Sequence, residues 1–197
     1  MVSVSLFLGK GNTIHWNDYQ IQALTTAVFP LDRSLEYTAF GLLSEIGEMA
    51  EAYEEGKIVG WSPSAEYQLK SETGDGFWYV AAIADSLNWR LADVANGYPG
   101  EKPEKLNYYG RGFTLLRLMI HAGNIGGIVK KAIRDNDGFL SPEAMTKLHK
   151  ELWAVLWHLD AFAGMIGTTR EALMSNNLNK LADRKTRGVL AGSGNNR

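Results

Sequence analysis

Ser34-Leu35-Glu36-Tyr37-Thr38-Ala39-Phe40-Gly41-Leu42-Leu43-Ser44-Glu45-Ile46-Gly47-Glu48-Met49-Ala50-Glu51-Ala52-Tyr53-Glu54-Glu55 decides the fold class. Within it Leu35, Thr38, Ala39, Leu42, Leu43, Ile46, Met49, Ala50 and Tyr53 recur at i, i+3, i+4 spacing, the period of a helix with one buried face. Gly56 is expected to close this helix, and residues 57–63 to form a loop. The same period continues from about Ala65 through Asp75, Tyr79, Ile83 and Leu87, with a break near Asn88 and a short helix to Ala95. Upstream, Asn17 is expected to cap a short helix running toward Pro30.

The run 96–103 carries two Pro and two Gly and reads as a linker. Beyond it a helix is expected from about Gly112 to Arg134, then a turn at residues 135–138. Ser141 as cap and Pro142 at the first helical position start another, reaching about Met165. Thr168 is expected to cap a last helix to about Arg184, leaving residues 185–197 as a flexible or ligand-ordered tail. Only residues 2–8 are a strand candidate. The reading is therefore all-α, a helical bundle forming one domain over 1–197.

Composition narrows the function. Net charge is −2 in 197 residues, so no overall field draws the chain to nucleic acid or anionic membrane. The absence of cysteine excludes disulfides, thiolate metal sites and a Cys nucleophile. The apolar opening lacks a basic lead-in and a small-residue cleavage site, and no later stretch holds about 20 continuous apolar residues. A cytoplasmic protein is the expectation. Gly9-Lys10-Gly11 lacks the spacing of a phosphate-binding P-loop, and four scattered histidines give no Ser-His-Asp order.

The two halves echo each other. Glu72 and Trp78 align with Glu151 and Trp157, and the helix with Glu45 and Glu48 aligns with the one bearing His121 and Asn124, at a period of roughly 77 residues. Lys105-Leu106 likewise echoes Lys180-Leu181. The reading is a duplicated helix pair, with a first copy over 16–96 and a degenerate second over 112–184.

Glu45 and Glu48 are three apart on one helix, as are Glu72 and Asp75 on the next. Such pairs project from one helical face, and helices joined by a short loop pack antiparallel, which brings both pairs to one seam. Four carboxylates there would repel unless a cation neutralised them. Hard oxygen ligands suit Mg²⁺, or Mn²⁺, which leaves positions for water and polyphosphate. The competing account is a solvated acidic face, which Glu51, Glu54 and Glu55 fit well. Glu45 and Glu48 instead sit among small and apolar residues, and Glu72 and Asp75 lead into the apolar run 77–84. A di-iron bundle needs Glu-x-x-His, and none of His15, His121, His149 or His158 has Glu three residues before it.

This paired motif resembles that of the all-α nucleoside-triphosphate pyrophosphatases, the MazG and dimeric dUTPase superfamily, and most of all MazG-like proteins of the phage and bacterial type. The likeness extends to Tyr19-Gln20-x-x-Ala23-Leu24-x-Thr26-Ala27 with Pro30, to 41–48 and 72–79, to Asn177-Leu178-Asn179-Lys180-Leu181-x-x-Arg184-x-x-Arg187-Gly188, and to the ending 192–197. It implies Mg²⁺-dependent hydrolysis of a nucleoside or deoxynucleoside triphosphate to the monophosphate and pyrophosphate. Glu45, Glu48, Glu72 and Asp75 would hold the metal, Glu48 would take the proton of the attacking water, and Lys180 and Arg184 would grip phosphates, with Arg187 and Asn177 ranked below them. Family members usually carry one copy of the helix pair and form dimers or tetramers; a homodimer is expected here. The second copy has His121, Asn124 and Ala154 where acids would stand, which implies one metal site per chain. It is either structural or lines the base or sugar pocket through His121 and Asn124. Trp16, Tyr19, Trp78, Tyr79 and Trp89 offer stacking faces. The alternatives are a non-catalytic metal-binding assembly or regulatory protein, and a hydrolase of an alarmone or damaged nucleotide.

Overall fold

The computed structural model describes residues 14–97 and 110–191. Among these residues the chain is an all-α bundle with no strand: α1 (Trp16–Leu24), a 3-10 turn (Leu31–Arg33), α2 (Ser34–Ile58), α3 (Pro63–Ser86), α4 (Leu91–Ala95), α5 (Arg111–Asn136), α6 (Pro142–Met165) and α7 (Arg170–Thr186). The strand candidate at 2–8, most of the linker, Lys105-Leu106 and the ending 192–197 lie outside the described residues.

Four long helices make the frame. α2 and α3 form one hairpin, and α5 and α6 another. Leu43 packs at Gly126 and Tyr53 at Gly112, so α2 and α5 run antiparallel; Leu159 meets Gly76, which closes α6 onto α3. The shared core includes Leu42, Ile46, Met49, Phe77, Ile83, Leu118, Ile125, Leu148 and Phe162, all fully buried. Each contributes about 1.5–3 kcal/mol through removal from water. α1 and α7 cover the remaining flank of α3.

The elements start and stop for identifiable reasons. Ser62 and Ser141 each precede a proline, and their Oγ atoms accept from Ala65 N (3.1 Å) and Ala144 N (3.2 Å). α3 therefore begins at Pro63, ahead of the expected Ala65. Gly56 does not end α2: the helix continues to Ile58, and the missing Cβ leaves room for the ring of Trp61, 2.7 Å from where it would sit. Thr169, not Thr168, caps α7 by accepting from Ala172 N. Asn17 lies inside α1 and caps a different helix, accepting from Ala92 N at 3.0 Å. The break at Asn88, in the left-handed region at φ 56°, is pinned by buried Gln20, which donates to Trp89 O and accepts from Leu91 N.

The residues expected to open the tail still belong to α7, which runs to Thr186. Among the described helices, α5 alone has the length and hydropathy of a membrane span, and a third of that stretch is buried. It packs between α2 and α6, while Phe113, Leu116, Met119 and Ile120 remain exposed on its outer side.

Candidate metal centre

α2 contributes Glu45, and α3 contributes Glu72 and Asp75; one carboxylate oxygen of each lies within 4.8 Å of the others. Glu72 is 1% exposed. Burial, then the charges of Asp75, Glu48 and Glu72, push the carboxyl of Glu45 up to about 9, against the opposing pull of Lys180. A protein holds three acids this closely, partly out of water, at an electrostatic cost that a cation removes. The donor set is all oxygen, which suits a hard divalent ion.

The four acids expected as ligands separate into three and one. Glu48 is near enough to raise Glu45, yet it is not part of the close group. Its Oε1 accepts from Ser44 Oγ at 3.2 Å, one turn back on α2.

Asp75 is held from α7 on both oxygens. Asn177 Nδ2 donates to Oδ1 at 2.5 Å, and Lys180 Nζ donates to Oδ2 at 2.5 Å and to Ser71 Oγ at 3.0 Å. Asn177 is itself fixed by Tyr19, whose hydroxyl donates to its Oδ1 at 3.3 Å. Asn177 is the hinge of this network, bonded to both Tyr19 and Asp75. Tyr19 is 0% exposed, so its ring is core and offers no stacking face, and burial with the charge of Asp75 holds its phenol well above the ordinary range.

Lys180, expected to grip phosphates, pairs with Asp75 here, whereas Arg184, one turn on, is 4% exposed and lies within the protein. Arg187 pairs with Asp183 at 2.8 Å on the surface. Beside Lys180 a cleft of about 290 Å³ opens between α3 and α7, lined by Tyr67, Lys70, Ser71, Asn176 and Asn179 among others, with no carboxylate in its wall.

The Gene 37 protein of Mycobacterium phage L5 is 39% identical to this chain over 88 residues, which are 45% of this chain and 77% of the phage protein. The chain belongs to the family of that gene 37 protein. No family model matches it, and no solved structure does so significantly.

In this member of the gene 37 family the second hairpin carries its own polar cluster. His121 Nδ1 lies 2.7 Å from Glu151 Oε2, and Asn124 Nδ2 donates to Glu151 Oε1 at 3.2 Å. The ring of His158 stacks on His121 at 5.3 Å. Burial, then His121 and Arg117, push His158 down to about 4. The contacts of His121 and Asn124 run to Glu151 and His158, within their own hairpin. Other proposed stacking faces are occupied as well: Arg170 lies over Trp16 at 4.5 Å, Trp78 Nε1 donates to Ala23 O, and Trp89 meets the edge of His149. Tyr79 is the aromatic that stays beside the acids, close enough for Glu45 and Asp75 to raise its phenol.

Proposed function

We propose that the protein is a divalent-metal-dependent nucleoside-triphosphate pyrophosphohydrolase with one site per chain. The observation that carries this is the junction of a three-carboxylate cluster with a lysine-bearing cleft that has no acid in its wall. A metal-loaded polyanion is the ligand complementary to both: its cation suits Glu45, Glu72 and Asp75, and its free phosphates suit Lys180 and Lys70.

Mg²⁺, bound there, would polarise the phosphate and acidify a water. The chain's own groups do the rest. Glu45, Glu72 and Asp75 hold the ion, and Asn177 and Tyr19 keep Asp75 in a single orientation. Lys180 turns from Asp75 toward the phosphates. Glu48, outside the close group and facing solvent beside Ser44, is the base that accepts the water's proton. The second hairpin, whose helices match α2 and α3 in length and in the Ser-Pro start of the second helix, is read as a duplicate that kept the packing and, of the four acids, only Glu151. The exposed side of α5 is read as the contact with a second copy.

The test is a panel of NTPs and dNTPs with Mg²⁺, scored for pyrophosphate against phosphate release, together with Mn²⁺ titration of variants. Asp75→Asn is expected to lose both metal binding and turnover, and Glu48→Gln to lose turnover by roughly 10²- to 10⁴-fold while still binding the ion. Wild-type metal binding without turnover of any nucleotide would favour a non-catalytic metal-binding protein; release of phosphate alone would refute the reaction.

A further inference from the structure

Beyond the carboxylates, on the side away from Lys180, tyrosines wall the groove between α2 and α3. Ser71, Asp75 and Tyr79 succeed one another at i+4 on α3, and Tyr37, Gly41 and Glu45 do so on α2, so each set shares a helical face. Gly41 is what lets them meet. A Cβ there would fall 1.9 Å from Cε1 of Tyr79, so the ring lies directly against the α2 backbone. Tyr37, one turn before Gly41 on α2, lies near enough to Tyr79 to raise its phenol.

Tyr37 is held through its ring. Its ring stacks on Phe29 at 5.2 Å and 25°, and Phe29 abuts Trp78 edge-on at 6.2 Å. Trp78 is anchored by its indole N–H on Ala23 O. Yet Tyr37 is 46% exposed. A surface aromatic whose ring is already stacked has lost part of the freedom that binding would otherwise take from it. A hollow of about 410 Å³ is lined by Phe29, the ring that backs Tyr37, and by Leu31, Ser34, Asp85 and Asn88 among others.

We infer that Tyr37, backed by Phe29, is the platform on which the base of the nucleotide stacks, and that it sets base preference. This rests on the reading of the acids as a nucleotide site. The order along α3 is the order of the ligand's parts: Lys70 and Ser71 at the cleft for terminal phosphates, Asp75 at the metal, Tyr79 beneath the sugar. Asp75 and Tyr79 are about 6 Å apart along the axis at 1.5 Å per residue, which leaves room for a sugar before the base reaches Tyr37.

The experiment compares nucleoside triphosphate with inorganic tripolyphosphate, which has the phosphates and no base. In the full chain with Mg²⁺, Tyr37→Ala is expected to raise KM for NTPs roughly 5- to 100-fold while calorimetric affinity for tripolyphosphate stays within about twofold. Tyr37→Phe, which keeps the ring, is expected to recover most of the loss. Equal effects on both ligands, no effect on either, or a Phe variant as poor as Ala would overturn the assignment. Should Tyr37→Ala fail to fold, Tyr37→Trp replaces it: its added fluorescence must be quenched by NTP and not by tripolyphosphate, and an equal response to both rejects the platform. A wild-type chain that binds tripolyphosphate but turns over no nucleotide refutes the underlying reading, and the platform with it. Turnover with Tyr37→Ala kinetics unchanged refutes the platform alone.

Discussion

Asp75 and Glu45 face each other across the α2–α3 seam in different states. Asp75 accepts from Asn177 and Lys180, while Glu45 meets burial and three acids and is pushed up to about 9. At neutral pH without metal, Glu45 therefore keeps its proton, and an incoming divalent ion must displace it. Mg²⁺ affinity is expected to rise with pH up to about 9, with close to one proton released per ion near neutrality. Calorimetry in buffers of different ionisation enthalpy measures that proton directly, and a pH-independent affinity between 6 and 8 would contradict the assignment. Glu45, Glu72 and Asp75 were legible because i, i+3 spacing within apolar helices is a local signal, but the same spacing did not show that Glu48 stands outside their group. Asn177 was not, since its role arises from α7 crossing α3, and nothing in the residues around it encodes that crossing. Tyr19 was misjudged for a related reason: a tyrosine's sequence neighbours do not say whether its ring or only its hydroxyl reaches a site.

α6 carries a separate test. His158 is buried against His121 and Arg117, with Glu151 paired to His121 on the facing helix, and its folded value near 4 lies below the ordinary 6.5. The unfolded chain therefore takes up this proton first. Stability from the neutral ring is complete above about 6.5 and declines as pH falls toward 4, by about 3 kcal/mol in all. Urea unfolding at pH 7 and pH 5 should show the loss, and His158→Phe should flatten the difference if the fold accepts the larger ring. An unchanged pH slope in a folded His158→Phe chain would rule out this residue as its source. At this scale the helices themselves were readable to within a few residues, because Ser-Pro starts and 3.6-residue periods are local. Two of the misplaced boundaries have their cause in tertiary packing. Gly56 looks like a stop but makes room for Trp61, and Asn17 looks like the cap of its own helix but serves α4.

Among the described residues the frame is two antiparallel hairpins sealed along α2 and α5. Phe113, Leu116, Met119 and Ile120 are exposed on α5. Lys130, Lys131 and Arg134 lie toward one end of α5, and Glu51, Glu54 and Glu55 toward the C-terminal end of antiparallel α2. A twofold copy would bury this apolar side of α5 against its own equivalent. Light scattering is expected to give a dimer for the full chain, and Leu116→Glu a monomer that retains its circular dichroism; a monomeric wild type would reject the contact. The bundle class was legible from periodicity, but this face was not, since period alone marks a helix as amphipathic or apolar without saying which apolar residues the neighbouring helices leave uncovered. The ammonium of Lys180 has a last consequence, for how the chain comes to exist at all. With a tethered positive charge already lodged on Asp75, the seam never has to close around bare like charges while the polypeptide is being made. Folding is thereby separated from magnesium supply: chelator treatment should silence the protein without unravelling it, and newly synthesised chains can mature first and load later.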